Sequence, residues 1–256
     1  MKSNPKEIIK KRNKLLLTAG ICVTIPIIAI IILAIVIVND NLKFGLNLGL
    51  LVLVLVIALL FRSKIYTYNN LAKIATLVLR QDKPISYIES IVTHPHKLLT
   101  QGFIQVANFE RFSMYYRHSK NPSAITTKVF KIEICIIVKD SSLDFYDASI
   151  EEEIQKLENT FTRKDRPTKY IILGFKNYES VNEKILKELS EVVCYSVARF
   201  HYSQINAAFI RTEKKCYFLY SDSYNPSSYY KQGIDFIKHL CGKTSDLYIS
   251  NPLERK

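Results

Sequence analysis

A chain of 256 residues with 36 Lys/Arg against 23 Asp/Glu carries a net charge of +13, and its length allows one adequate core beside any membrane segment. Seven glycines exclude several function classes: no GxGxxG, no GxxxxGKS/T and no GxSxG occurs, so the common phosphate-cradling loops and the hydrolase nucleophile elbow are missing. Five cysteines without a CxxC pair (Cys22, Cys135, Cys194, Cys216 and Cys241) give no zinc ribbon or thioredoxin-like centre and read as reduced, buried thiols.

The first fourteen residues are a basic stretch containing Lys10, Lys11, Arg12 and Lys14. Two apolar runs follow, Leu15 to Val38 and Phe44 to Phe61, separated only by residues 39–43. At a rise of about 1.5 Å per residue they reach about 36 and 27 Å, matching a hydrocarbon core of about 30 Å. The pattern predicts a transmembrane helical hairpin (15–38 and 44–61), with Pro26 bending the first span. The first run is too long for a signal-peptide core, and no small-residue cleavage site follows it. Arg62, Lys64 and Lys73 after the second run complete a basic flank on both sides of the hairpin. By the positive-inside rule both termini are expected in the cytoplasm, with the protein in the cell membrane.

Charge is unevenly spread. Residues 1–61 hold seven Lys/Arg and two Asp/Glu, residues 62–131 hold eleven and three, and the remainder holds eighteen of each. The basic excess therefore belongs to the membrane side, where an anionic inner leaflet attracts it. A nucleic acid is the alternative polyanion. Within the second run Gly45, Asn47 and Gly49 form a small-residue motif suited to close helix packing. The expected partner of that motif is the first span, with self-association as the alternative.

Residues 62–125 read as a basic, membrane-proximal helical collar. The second span runs on as helix toward Pro84, Ser86-x-x-Glu89 suits the cap of a short helix, and His94-Pro95-His96 forms a polar turn. A winged-helix-like module is the alternative.

From about Thr126 to the end the pattern becomes an α/β domain in the order βαβαββα. Phe130, Ile132, Ile134, Ile136 and Val138 alternate as a strand with one buried face. Ser149-x-x-Glu152 opens a helix with the stripe Ile150, Ile154, Leu157 and Phe161, and Tyr170 to Phe175 is a covered strand. Ser180-x-x-Glu183 opens a second helix, and Ala207 to Thr212 with Cys216 to Ser221 form a hairpin. Asn225-Pro226 starts a last helix and Gly242 stops it. Helical crossovers make the first three strands parallel and the fourth antiparallel in a mixed sheet.

Ligands of open α/β sheets bind beyond the carboxyl ends of parallel strands. Those ends bring forward Asp140 with Asp144, Lys176 with Asn177, and Arg211 with Glu213, a set in which carboxylates hold a divalent cation and cations meet phosphate. Tyr217, Tyr220, Tyr224, Tyr229 and Tyr230 crowd the hairpin and last helix and are candidates for a protein-binding face. No metal site or cofactor is otherwise indicated. The sequence thus reads as a membrane-anchored, non-catalytic scaffold or adaptor whose partners are the anionic leaflet and a protein or second copy. The alternatives are a membrane-tethered metal-dependent phosphoesterase or nuclease, and a tethered nucleic-acid binder.

Overall fold

The computed structural model describes residues 4–37, 39–120 and 130–242. Lys2, the end of the first span at Val38, the onset of the α/β pattern near Thr126 and residues 243–256 lie outside the described residues. The chain divides into two compact units, the first ending at Leu79 and the second beginning at Arg80.

The first unit is a pair of long helices, α1 (Pro5–Val36) and α2 (Asp40–Leu79). Asn4 caps α1, its side chain accepting the Lys6 N–H at 3.0 Å, and Pro5 occupies the first turn, where no N–H is needed. Asn39 does the same for α2, accepting the N–H groups of Asn41 and Leu42 at 3.1 and 3.2 Å. Both helices are long and apolar enough to cross a membrane. The expected run-on of the second apolar segment is present: α2 is one helix of 40 residues, about 60 Å long.

The two helices meet along a seam of spacing three and four. On α2 the partly covered positions include Asn47, Leu50, Val54, Ile57, Phe61 and Ile65, and Ala72 and Ala75 pack with Ile8 of α1. Because Ile8 meets Ala72 and Ala75, the basic residues Lys10, Lys11, Arg12 and Lys14 lie at the same end of the hairpin as Arg62, Lys64 and Lys73. The glycine motif departs from expectation. A Cβ built on Gly45 or Gly49 would meet nothing within 4 Å, so neither glycine packs against α1. Two residues along a helix is a turn of about 200°. Asn47 therefore takes the seam position, its Oδ1 buried with no hydrogen-bond partner among the described residues, and the glycines face outward.

The second unit is an eight-stranded mixed sheet with helices on both faces. It comprises β1 (Ile85–Ser86), α3 (His96–Thr100), β2 (Ile104–Asn108), β3 (Phe112–Lys120), β4 (Phe130–Val138), α4 (Ala148–Asn159) and β5 (Lys169–Tyr178). The chain continues through α5 (Glu183–Ser190), β6 (Val193–Val197), β7 (Phe200–Ile210), β8 (Lys215–Phe218) and α6 (Ser228–Leu240). The strand order is β1-β8-β7-β5-β4-β3-β2, with β6 also paired to β7. As expected, β4, β5 and β7 are parallel and β8 is antiparallel near an edge.

Three features differ from the sequence reading. The segment 62–125 is not helical throughout: 62–79 continue α2, and 85–120 supply β1, α3, β2 and β3 to the sheet. Ser86 therefore ends a strand rather than capping a helix. An additional strand, β6, precedes β7, and β7 starts at Phe200 rather than Ala207. The helix caps are Asp147, Asn182 and Ser227, each of whose side chains accepts a first-turn N–H.

Both faces of β4 are buried, because the sheet is covered on each side. Ile132, Ile134, Ile136 and Val138 join Ile150 and Leu157 of α4 and Ile185 and Leu189 of α5 in one core. The opposite face packs under α6. There a Cβ on Gly233 would stand 2.8 Å from Ile205 and 3.2 Å from Leu173, so only glycine lets α6 sit this close to the sheet. Glu133 on this face is held by Arg117 and by Lys131 at 2.8 Å. Burial acts to raise its carboxyl pKa, but the Lys131 and Arg117 charges outweigh it and keep the group below its usual range. Cys135, Cys194, Cys216 and Cys241 are buried, as expected, and the Cys194 thiol donates to Ser227 Oγ at 3.8 Å.

His118 of β3 is expected to make stability depend on pH. Its ring lies 5.2 Å from Phe130 and 4.8 Å from Phe161, and its Nε2 is buried with no hydrogen-bond partner among the described residues. Burial lowers its pKa against an opposing pull from Asp165. The unfolded chain then takes up this proton more readily, so stability is full above about pH 6.5 and falls as the pH drops below it. Substituting His118→Phe is expected to flatten the decline in melting temperature between about pH 7 and pH 5. An unchanged slope in the variant would show that His118 is not its source.

Candidate functional site

Beyond the carboxyl ends of the three parallel strands lies an open cleft of about 440 Å³, lined by Val92, Thr93, Lys139, Ser141, Asn177, Tyr178, Glu179 and Arg211. Each strand delivers its own part of the wall: β4 leads into Lys139 and Ser141, β5 ends through Asn177 and Tyr178 into Glu179, and β7 leads into Arg211. The segment after β1 closes the fourth side. Tyr87 fastens it by donating to the Ile210 carbonyl at 3.3 Å. Ser90 donates to Asn177 Oδ1, and Asn177 Nδ2 donates to Thr93 Oγ1 at 3.3 Å. Asn177 therefore holds this segment against the sheet.

The two cations of the cleft differ in their partners. Lys139 Nζ donates to two uncharged oxygens, Asn108 Oδ1 at 2.9 Å and the Phe109 carbonyl at 2.6 Å. Arg211 forms a loose ion pair with Glu179 at 3.7 Å, and both side chains are well exposed.

The carboxylates expected at these strand ends do not converge. Asp140, between Lys139 and Ser141, accepts hydrogen bonds from the Ser142 hydroxyl and N–H and from Arg111 Nε at 3.0 Å, which lower its pKa to about 2. Asp144 accepts the Tyr146 N–H at 2.8 Å. Glu213 accepts the Tyr217 hydroxyl at 2.6 Å and lies 3.7 Å from Lys215. Among the described residues no group of three or more His, Cys, Asp or Glu side chains is placed to hold a metal ion. Of the six strand-end candidates, Asn177 and Arg211 line the cleft. Topology accounts for part of this. The order β4, β5, β7 proceeds in one direction with α4 and α5 on one face, so these strands contain no reversal of order, where α/β sheets form their usual crevice.

Lys176 points into the core instead. It is almost fully buried on the α4 and α5 side, paired with Glu188 and 4.1 Å from the centre of the Phe145 ring. Tyr178 donates to the other Glu188 oxygen at 2.8 Å, and burial followed by that carboxylate raises the phenol pKa.

The five tyrosines also divide. Tyr220 and Tyr230 are buried and donate to the carbonyls of Lys83 and Leu219 at 2.6 and 2.8 Å. Tyr217 serves Glu213, Tyr224 lies under Arg80, and Tyr229 packs 4.8 Å from His201. The expected single tyrosine face is not assembled, because two of its members reach backbone carbonyls inside the fold, which satisfies their hydroxyls there.

Sequence reasoning missed two polar clusters on β7. Asn206 is fully buried, its Nδ2 donating to Tyr146 Oη at 3.3 Å and the Glu191 carbonyl at 3.2 Å. Burial pushes the Tyr146 phenol up to about 12. His201 is flanked by Ser196 Oγ at 2.7 Å and Ser227 Oγ at 3.3 Å. The available signal was the alternation Phe200, Tyr202 upstream of the recognised strand. No family model, curated protein or solved structure matches this chain.

Proposed function

We infer that this chain is a membrane-anchored binding or assembly protein whose α/β unit acts as a non-catalytic scaffold on the cytoplasmic side. The observation that carries this reading is the apolar exterior of α1 and α2. Large side chains such as Leu17, Ile25, Ile31, Leu51, Leu55 and Leu59 are exposed along both helices, and burial against each other covers little of them. In water such surface is costly at about 25 cal/mol per Å², whereas a lipid interior accepts it. The basic residues gathered at one end of the hairpin, Lys10 to Lys14 with Arg62, Lys64 and Lys73, support contact with an anionic inner leaflet and two cytoplasmic termini.

The outward glycines support self-association through α2. Gly45 and Gly49 leave a smooth face that a second helix can approach closely. In mild detergent the protein is expected to run as a homo-oligomer or with a bound partner, and the double substitution Gly45→Leu/Gly49→Leu is expected to shift a homo-oligomer to monomer. Size-exclusion chromatography with light scattering, together with co-purification from the native membrane, tests this. A strictly monomeric wild type that brings down no protein would count heavily against the assembly reading. The metal-dependent phosphoesterase alternative loses support because Asp140, Asp144 and Glu213 each serve a separate local partner.

A further inference from the structure

We propose that the cleft at the strand ends binds a phosphorylated polyol. Four properties lead there, and none depends on the assembly role.

Lys139 and Arg211 follow two different strands yet line one cavity; among the described residues neither has a carboxylate within ordinary hydrogen-bond distance, and Arg211 is held only in an exposed ion pair with Glu179 at 3.7 Å. An ammonium has three N–H donors, and Lys139 uses two on neutral oxygens; a guanidinium has five. A phosphoryl group with three oxygens is the ligand that satisfies such donors best. Thr93 and Ser141 add hydroxyl donors on the same wall. Thr93 Oγ1 already accepts from Asn177, so its own proton can be donated to an incoming oxygen.

Glu179 decides against a purely inorganic anion. It is the one carboxylate among the described residues of the wall and its side chain is exposed, so it accepts hydrogen bonds from hydroxyl groups while repelling phosphate. A ligand bearing phosphate at one end and several hydroxyls at the other suits both halves. The volume of about 440 Å³ accommodates a molecule of sugar-phosphate size.

The shared chemistry has two sources, a soluble sugar-type phosphate and a lipid headgroup with a phosphorylated polyol. Full-length protein in phosphatidylcholine nanodiscs, titrated calorimetrically with inositol 1-phosphate, is expected to bind with a Kd of about 1 mM or tighter. Lys139→Ala and Arg211→Ala are each expected to weaken binding about tenfold, the usual effect of losing a charge-assisted hydrogen bond. Both residues are exposed, and unfolding curves matching wild type will establish that the variants fold. Lys187→Ala on α5, outside the cleft, is expected to bind as wild type does. Repeating the titration in nanodiscs containing phosphatidylinositol separates the sources. A raised apparent Kd identifies the lipid headgroup as a competing occupant, and an unchanged Kd identifies the soluble ligand. Absence of saturable binding, or equal affinity in the Lys139 and Arg211 variants, overturns the proposal.

Discussion

Replacing Glu188 by alanine is expected to destabilise the α/β unit by about 3–5 kcal/mol, because it strands a buried cation. Lys176 is only 1% exposed, and its ammonium lies between Glu188 and the face of Phe145. Without Glu188 the ammonium loses its hydrogen-bond acceptor among the described residues, and the Tyr178 hydroxyl loses its partner as well. Desolvation makes the cost of breaking such a pair larger than the worth of the pair itself. The double variant Lys176→Met/Glu188→Gln removes the charges, keeps similar volumes and leaves an amide oxygen for Tyr178. It is expected to lie close to wild type. In a domain of this size the single variant lowers the melting temperature by on the order of 10 °C. A loss below about 1 kcal/mol for Glu188→Ala would mean that Lys176 reaches water in solution.

The second large effect concerns space. Gly174 lies mid-strand in β5, facing Phe145 and Asn206. A Cβ there would stand 2.5 Å from Phe145 Cδ1, 2.8 Å from Cε1 and 3.1 Å from Asn206 Oδ1. The first two distances lie well inside van der Waals contact, so the ring must move. Phe145 is itself buried and lies over the Lys176 ammonium, which leaves it few places to go. Gly174→Ala is therefore expected to cost about 1–3 kcal/mol by overpacking, although alanine elsewhere in a strand is the better residue. Combining it with Phe145→Leu should recover part of the loss, and chemical denaturation of the three variants tests the coupling. Full additivity would separate the two residues.

These two sites also explain what the sequence could and could not convey. The parallel order of β4, β5 and β7 follows from apolar runs interrupted by amphipathic helices, and such runs are visible in one dimension. The strands that escaped notice are those whose polar residues are satisfied inside the fold. In β3, Arg117 and His118 interrupt the apolar alternation, yet Arg117 is bound to Glu133 and stacked 4.7 Å from the Phe103 ring centre. In β7, His201, Ser203, Gln204 and Asn206 precede the strand expected from Ala207 and are all buried. A polar side chain looks the same in sequence whether water or a buried partner completes its hydrogen bonds.

The cleft was legible in part for the same reason. Strand polarity located the carboxyl ends, and with them Asn177 and Arg211. Position along a strand does not reveal which face a neighbouring charge serves. Lys176 is one residue before Asn177, but alternation turns it toward Glu188 instead of the cleft. Lys139 enters because the strand turns after Val138, and Asp140 leaves because Arg111 is nearby. The glycine motif shows the helical version of the problem. Its spacing announces a close-packing face, but only the register of α2 on α1 shows that the hairpin does not use it.

The proposed function requires the apolar hairpin to hold the α/β unit at the cytoplasmic face. Alkaline carbonate extraction of native membranes, followed by protease digestion of inside-out and right-side-out vesicles, tests this most directly. The account predicts that the protein stays in the membrane pellet, and that the α/β unit is cut only in inside-out vesicles. Release into the carbonate supernatant, or cleavage of the α/β unit in sealed right-side-out vesicles, would contradict it.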